Sequence, residues 1–357
     1  MIIYWFLPMI LFLGIVTSYE DKKYGKIRNK WVILALIYSA FVNIFLYLLG
    51  YINFAHIGQL SINGLISLVF GFLIWRVNLW SAGDAKLFFV YSLLLPLELY
   101  RFNSSKLFPS GNILANTFIP AALLLIISML TKTYREKTFP FLTNFFKFRG
   151  IGKLALFLFA FAWPVNSMLF FLGMNDTYIR FFLIFLLFSL FERINNSNTF
   201  SLLVILSAAR ILFDKEMFSK QSWTNFAYFL IIFVVLRFFL LNLSFNLFTK
   251  EVKIKDLKQG MIPAEMVLRK ETFFRKIKLI GFFPAKIKNK NEKYLFKGRP
   301  EGLAQSDITR IAKFRLPFKT IKIYQTMGFA SFIFLGVLLT IIFQGNLILS
   351  VKFLLSG

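Results

Sequence analysis

Apolar residues come in long uninterrupted runs along the chain, at 1–18, 31–50, 61–76, 85–100, 113–131, 154–173, 177–191, 199–213, 224–248 and 324–350. Runs of this length, with neither the period of 2 of a half-buried strand nor a regularly charged face, predict helices that cross or nearly cross a bilayer. The expectation is an all-α polytopic membrane protein of about ten transmembrane helices, give or take two. The runs at 177–191 and 199–213 are short and contain Arg180 and Arg210, so that pair is also compatible with a re-entrant or tightly packed hairpin. Met1 to Ser18 is apolar from its start and has no basic leader or small-residue cleavage site, which predicts a retained first span.

Basic residues test this assignment independently, because Lys and Arg concentrate in alternate loops of a polytopic protein. The 19–30 connection holds Lys22, Lys23, Lys26, Arg28 and Lys30, whereas 51–60 holds none. Two more flank the next turn (Arg76 and Lys86), six lie in 132–153, one is Arg193 and twenty lie in 249–323, so 34 of the 42 Lys and Arg fall on one side. The amino terminus is therefore expected outside, the basic loops in the cytoplasm and the chain in the plasma membrane.

Segment 249–323 breaks the apolar pattern. It carries 20 Lys and Arg against 7 Asp and Glu and is punctuated by Gly260, Pro263, Gly281, Pro284, Gly298 and Pro300. It predicts a small cytoplasmic α+β domain before the last helix, with an edge strand over Val252–Leu257 and a short helix through Lys313 capped by Ser306 or Asp307. The expected organisation is a core with both acidic motifs at 1–130, additional helices at 131–248, the basic domain at 249–323 and a final helix at 324–357. The basic domain is a candidate for binding anionic lipid headgroups. No internal repeat is apparent, and the 49 Phe read as lipid-facing and packing surface.

Composition agrees. The chain of 357 residues is 58% hydrophobic with 16% charged residues and a mean hydropathy of +0.68, too apolar for an ordinary soluble domain. It has no cysteine and a single histidine, His56, so disulfides, a thiolate zinc site and a histidine metal cluster are ruled out, and no metal or cofactor is expected. Thiol chemistry and Ser/His/Asp catalysis are poorly supported. The formal charge of +26 follows from cytoplasmic loops, and no nucleic-acid partner is expected.

Two acids stand out. Asp21 lies in Ser18-Tyr19-Glu20-Asp21-Lys22-Lys23-Tyr24-Gly25-Lys26-Ile27-Arg28-Asn29, where the first run meets the cytoplasmic face, and Asp84 lies in Trp80-Ser81-Ala82-Gly83-Asp84-Ala85-Lys86-Leu87, ahead of the fourth run. Counting spans, both reach the same depth. Two close carboxylates disfavour double ionisation and share a proton, so one can take a proton from water while the other donates to a carbonyl or leaving amine. Gly83 permits a close backbone approach, and Lys86 and the helix amino terminus favour the Asp84 anion. Each acid also has an ordinary reading: Asp21 as a solvated loop acid, Asp84 as a helix cap paired with Lys86. Glu20 reads as a solvated surface glutamate, with attraction of a basic leader as its functional alternative.

These motifs resemble those of the GxGD aspartyl peptidases, in particular the archaeal preflagellin and type IV prepilin peptidases. Ser81-Ala82-Gly83-Asp84-Ala85-Lys86 is similar to the family's GxGDxK, and Asp21 with Ile27 and Asn29 has the spacing of its D-x5-I-P-N element. Ser81 stands where the family has glycine and Arg28 where it has proline. The basic segment before a final span resembles the family's arrangement, as does Met327-Gly328-Phe329-Ala330-Ser331-Phe332 with Gly336 at the start of that span. The region 101–245 matches less clearly. The resemblance implies Asp21 and Asp84 as catalytic residues, Ser81, Gly83, Lys86 and Asn29 as supporting ones, and cleavage of class III signal peptides of pilin-like or archaellin precursors at the cytoplasmic face. It does not imply the methyltransferase activity of bacterial relatives, whose cysteine-rich insertion is missing. A non-catalytic membrane scaffold or transporter retaining a degenerate motif is the competing expectation.

Overall fold

The computed structural model describes residues 2–76, 80–101, 107–136, 149–173, 177–194, 197–247, 249–270, 273–278, 292–296, 302–314, 316–324 and 328–356. The chain is mostly helical. In order come α1 (Ile3–Tyr24), α2 (Asn29–Leu48), α3 (Phe54–Arg76), α4 (Ala82–Leu94), α5 (Gly111–Glu136), α6 (Arg149–Phe171), α7 (Thr177–Ile194), α8 (Ser197–Phe213) and α9 (Lys220–Leu247). After a β-containing segment follow α10 (Gln305–Ala312), α11 (Ala330–Ile342) and α12 (Leu347–Ser356). Two compact units emerge: Met1–Ile127 with Lys147–Ile231 and Gly328–Gly357, and Ser128–Phe146 with Ile232–Met327.

Among the described residues five helices are long and apolar enough to cross a membrane, namely α1, α2, α3, Gly111–Ser128 of α5 and Ile151–Phe171 of α6, the pattern of a multi-pass membrane protein. Their outward faces are apolar: Ile15, Ile37, Phe41 and Leu65 are each more than 60% exposed, which water would penalise and lipid does not. Ile179–Phe191, Phe200–Phe213 and Ala330–Ile342 are apolar but shorter.

Two runs break for definable reasons. The run at 85–100 yields only the 13-residue α4, stopped at an extended Leu95 before Pro96 and followed by a 3-10 turn at Leu97–Leu99, because the residue before a proline is pushed out of the helical region. The run at 324–350 is two helices, not one. Gln344 and Gly345 turn the chain with φ of 49° and 135°. Asn346 then restarts it, its Oδ1 accepting from the N–H of Ile348 at 2.9 Å, and Asn116 of α5 bonds Gly345 O, Thr340 Oγ1 and Leu347 N at 2.8, 2.9 and 3.0 Å.

Within the first unit α4 is the innermost helix, packed against α2, α3 and α11. Leu87, Phe88, Val90, Tyr91 and Leu94 are all fully buried, so α4 is mostly apolar from Leu87 onward, as an enclosed helix must be. In lipid, helices gain little from removing apolar surface and rely on close packing of small residues. Gly14 of α1 faces Phe334 of α11, and Gly336 of α11 faces Thr117 of α5, at distances that a Cβ at either glycine would violate.

The second unit contains two three-stranded antiparallel sheets. Strand β6 (Thr320–Tyr324) lies between β1 (Thr249–Lys253) and β2 (Ile262–Pro263), and β3 (Glu265–Lys270) lies between β4 (Phe273–Lys278) and β5 (Glu292–Tyr294). Leu257, Met266, Val267, Leu295, Phe296, Leu303, Ile311, Ile321 and Ile323 form its core. The edge strand begins at Thr249 and ends at Lys253, giving way to a 3-10 turn at Ile254–Asp256, earlier than its alternation suggested. Asp307 is not the cap residue itself: it is the third residue of α10, and its carboxylate reaches back to the N–H of Ala304 at 3.1 Å. Gly281, Pro284, Gly298, Pro300, Met327 and residues 137–148 of the 132–153 connection lie outside the described residues.

Candidate active site

Asp21 occupies the last turn of α1. The helix ends at Gly25, whose left-handed φ of 63° suits a residue without a Cβ and whose N–H returns to the carbonyl of Asp21 at 2.8 Å. The side chain of Asp21 points across to the start of α11, where its Oδ2 accepts the N–H of Ala330 at 3.0 Å. Gly328 makes this approach possible, since a Cβ there would lie 3.2 Å from Asp21 Oδ2. An anion at a helix amino terminus is favoured by the orphan N–H groups and the aligned peptide dipoles.

Asp84 is held within a turn of its own helix. Ser81 is the N-cap residue of α4; its Oγ accepts from Asp84 N at 3.2 Å while Asp84 Oδ2 accepts from Ser81 N at 2.9 Å, a reciprocal capping box. This clarifies the serine where the resemblance has glycine. Ser81 sits at φ −77°, ψ 163°, which any L-residue adopts, and the hydroxyl adds a cap that glycine lacks. Asp84 is 4% exposed, and its Oδ1 is buried with no hydrogen-bond partner among the described residues.

The two motifs meet. A Cβ on Gly83 would lie 3.2 Å from Ile27 Cβ and 3.4 Å from Ile27 Cδ1, so the loop after Asp21 rests on the turn before Asp84. Lys86 Nζ donates to Asn29 Oδ1 at 3.1 Å, tying the same segments together from the exposed side. All six residues singled out from the sequence, Asp21, Asn29, Ser81, Gly83, Asp84 and Lys86, thus belong to one cluster.

Two features were not legible from the motifs. Glu20 is not a solvated surface acid: it is 6% exposed and holds Arg28, Oε1 to the guanidinium Nε at 3.4 Å and Oε2 to the Arg28 backbone N at 3.4 Å. Arg28 therefore fixes the turn by an ion pair where the resembled family has proline. Beside Asp84, Trp80 stacks on Phe118 with centroids 5.4 Å apart and lies against Phe88 and Phe329 at 5.6 and 5.8 Å. These rings wall off one side of the site, and the buried indole N–H of Trp80 has no acceptor among the described residues. Only the adjacency of Trp80 to the second motif and of Phe329 to Gly328 hinted at this wall.

The chain matches no protein-family model, no curated protein and no solved structure.

Chemically, the cluster offers one carboxylate anchored at a helix amino terminus and a second with one oxygen bonded and the other unmatched. A buried polar oxygen without a partner is costly, and that cost is relieved by a proton held in common with a neighbouring acid or by an oriented water. Among the described residues no three His, Asp or Glu side chains converge as a metal site requires.

Proposed function

We propose that this protein is a membrane-embedded aspartic endopeptidase that cleaves class III signal peptides of pilin-like or archaellin precursors, with Asp21 and Asp84 as its catalytic pair. The observation that carries the reading is the unmatched, buried Oδ1 of Asp84 in a turn that packs against the loop following Asp21. In the proposed reaction the pair holds one proton. The ionised carboxylate takes a proton from water as the water oxygen attacks the scissile carbonyl, and the protonated one donates to the carbonyl oxygen. Collapse of the tetrahedral intermediate breaks the C–N bond as a proton passes to the leaving amine. Such a pair works only between its two titrations: acid removes the base, and alkali removes the donor.

In this reading the apolar helices beyond the five of full length complete the bundle, the amino terminus lies outside, and both acids and the basic segment 249–323 face the cytoplasm. A substrate helix stays in the bilayer while its short leader meets the pair at the interface. The test is co-expression with candidate precursors: Asp21→Asn and Asp84→Asn should each abolish the mobility shift of the precursor while still inserting in the membrane. Cleavage retained in both single variants would eliminate the mechanism.

A second reading draws on the fact that both acids already serve as helix caps, Asp21 for α11 and Asp84 for α4. In a non-catalytic scaffold or transporter these would be their whole roles. Asn can accept the same hydrogen bonds, so that reading requires both Asn variants to complement fully.

A further inference from the structure

In the second unit, Ser306, Thr309, Arg310 and Lys313 lie along one face of α10 and its carboxyl end, at the i, i+3, i+4, i+7 spacing of a helix stripe. All four are exposed. The opposite stripe, with Asp307 and Ile311, is buried. The exposed stripe borders an open groove of about 570 Å³ whose remaining lining is Arg269, Leu295 and Phe314, a volume in the range of small-molecule sites.

We propose that this groove binds a phosphate-bearing anion. Its lining gathers three cations from two elements, Arg269 on β3 and Arg310 and Lys313 on or beside α10, together with two hydroxyl donors and, among the described residues, no carboxylate. Of the nearby described acids, Glu265 accepts Lys322 N at 3.1 Å and pairs with Lys276 at 3.4 Å, and Asp307 caps α10. The cations are held in place by the fold. Arg269 lies over the ring of Phe314 at 4.9 Å, and Arg310 gives one of its five N–H groups to Leu295 O at 3.4 Å. Such planar forks beside a point-charge ammonium and hydroxyls match the oxygens of a phosphate mono- or diester. Leu295 and Phe314 give the groove an apolar floor for whatever carries the phosphate. The inference does not depend on the peptidase reading.

The full chain in zwitterionic detergent tests it by calorimetry against two probes, inorganic pyrophosphate and short-chain phosphatidylglycerol below its micelle concentration. Wild type should bind at least one, and Arg310→Gln with Lys313→Gln should weaken that binding roughly tenfold per cation removed. Arg310→Lys with Lys313→Arg should restore most of it, which separates loss of charge from loss of fold. Tighter binding of pyrophosphate assigns a free phosphate ligand, and tighter binding of phosphatidylglycerol a lipid headgroup. Binding of neither probe overturns the proposal. So does an equal loss in Lys255→Gln with Lys258→Gln, exposed cations outside the groove lining, since that would reflect the charge of the unit as a whole.

Discussion

Substitution at Gly83 probes the joint between the two motifs. A Cβ placed there would lie 3.2 Å from Ile27 Cβ, against about 3.5–4.0 Å for relaxed carbon contacts, a shortfall of about 0.3–0.8 Å. Ile27 is not free to retreat, because Arg28 is fixed to Glu20 and Asn29 to Lys86 on its carboxyl side. Overpacking of this kind costs about 1–3 kcal/mol, so Gly83→Ala should fall near the lower bound and Gly83→Val near the upper. Ile27→Ala in the Gly83→Ala background removes the colliding methyl groups. The double variant should therefore be more stable than the sum of the single effects by about 1 kcal/mol. Thermal unfolding in detergent, followed by tryptophan emission for the four proteins of the cycle, gives the coupling. Additivity within about 0.5 kcal/mol would refute the contact between these segments.

Other consequences are sharp. Arg28→Pro should destabilise by about 1–3 kcal/mol: φ at Arg28 is −75°, which a proline ring accepts, but proline removes both the guanidinium and the backbone N–H that the buried Glu20 carboxylate accepts; an unchanged melting curve would contradict the pairing described. Asn116→Leu should lower the melting temperature markedly, because it leaves the Gly345 carbonyl and the Leu347 N–H without their partner, at about 1–3 kcal/mol each; an unchanged melting curve would show that the turn does not rely on this side chain.

What was legible in the sequence was whatever rests on composition and short spacing. The first three apolar runs became α1, α2 and α3, and Asp21, Ile27, Asn29, Gly83, Asp84 and Lys86 proved to be one neighbourhood because both motifs are local turns at helix ends. Hydropathy alone did not reveal where a run breaks. In α4 the interruption is set by Pro96, a residue the apolar average hides. In the last run it is set by Gln344-Gly345-Asn346 together with Asn116, more than two hundred positions earlier, a tertiary interaction with no local trace. Glu20 was misread for a similar reason: beside lysines it looks solvated, and only the return of the chain at Arg28 buries it. The edge strand lost its final residues to a 3-10 turn because alternation continues through Ile254–Asp256 while pairing with β6 stops at Lys253.

The most direct measurement of the central claim is single-turnover cleavage of a purified precursor by the purified protein in lipid nanodiscs, with wild type, Asp21→Asn and Asp84→Asn compared at matched thermal stability. Cut precursor is expected with the wild type alone, each Asn variant being slowed by at least about a hundredfold, as for loss of a general acid or base. Equal rates in all three proteins, or no cleavage of any class III precursor by the wild type, would contradict it.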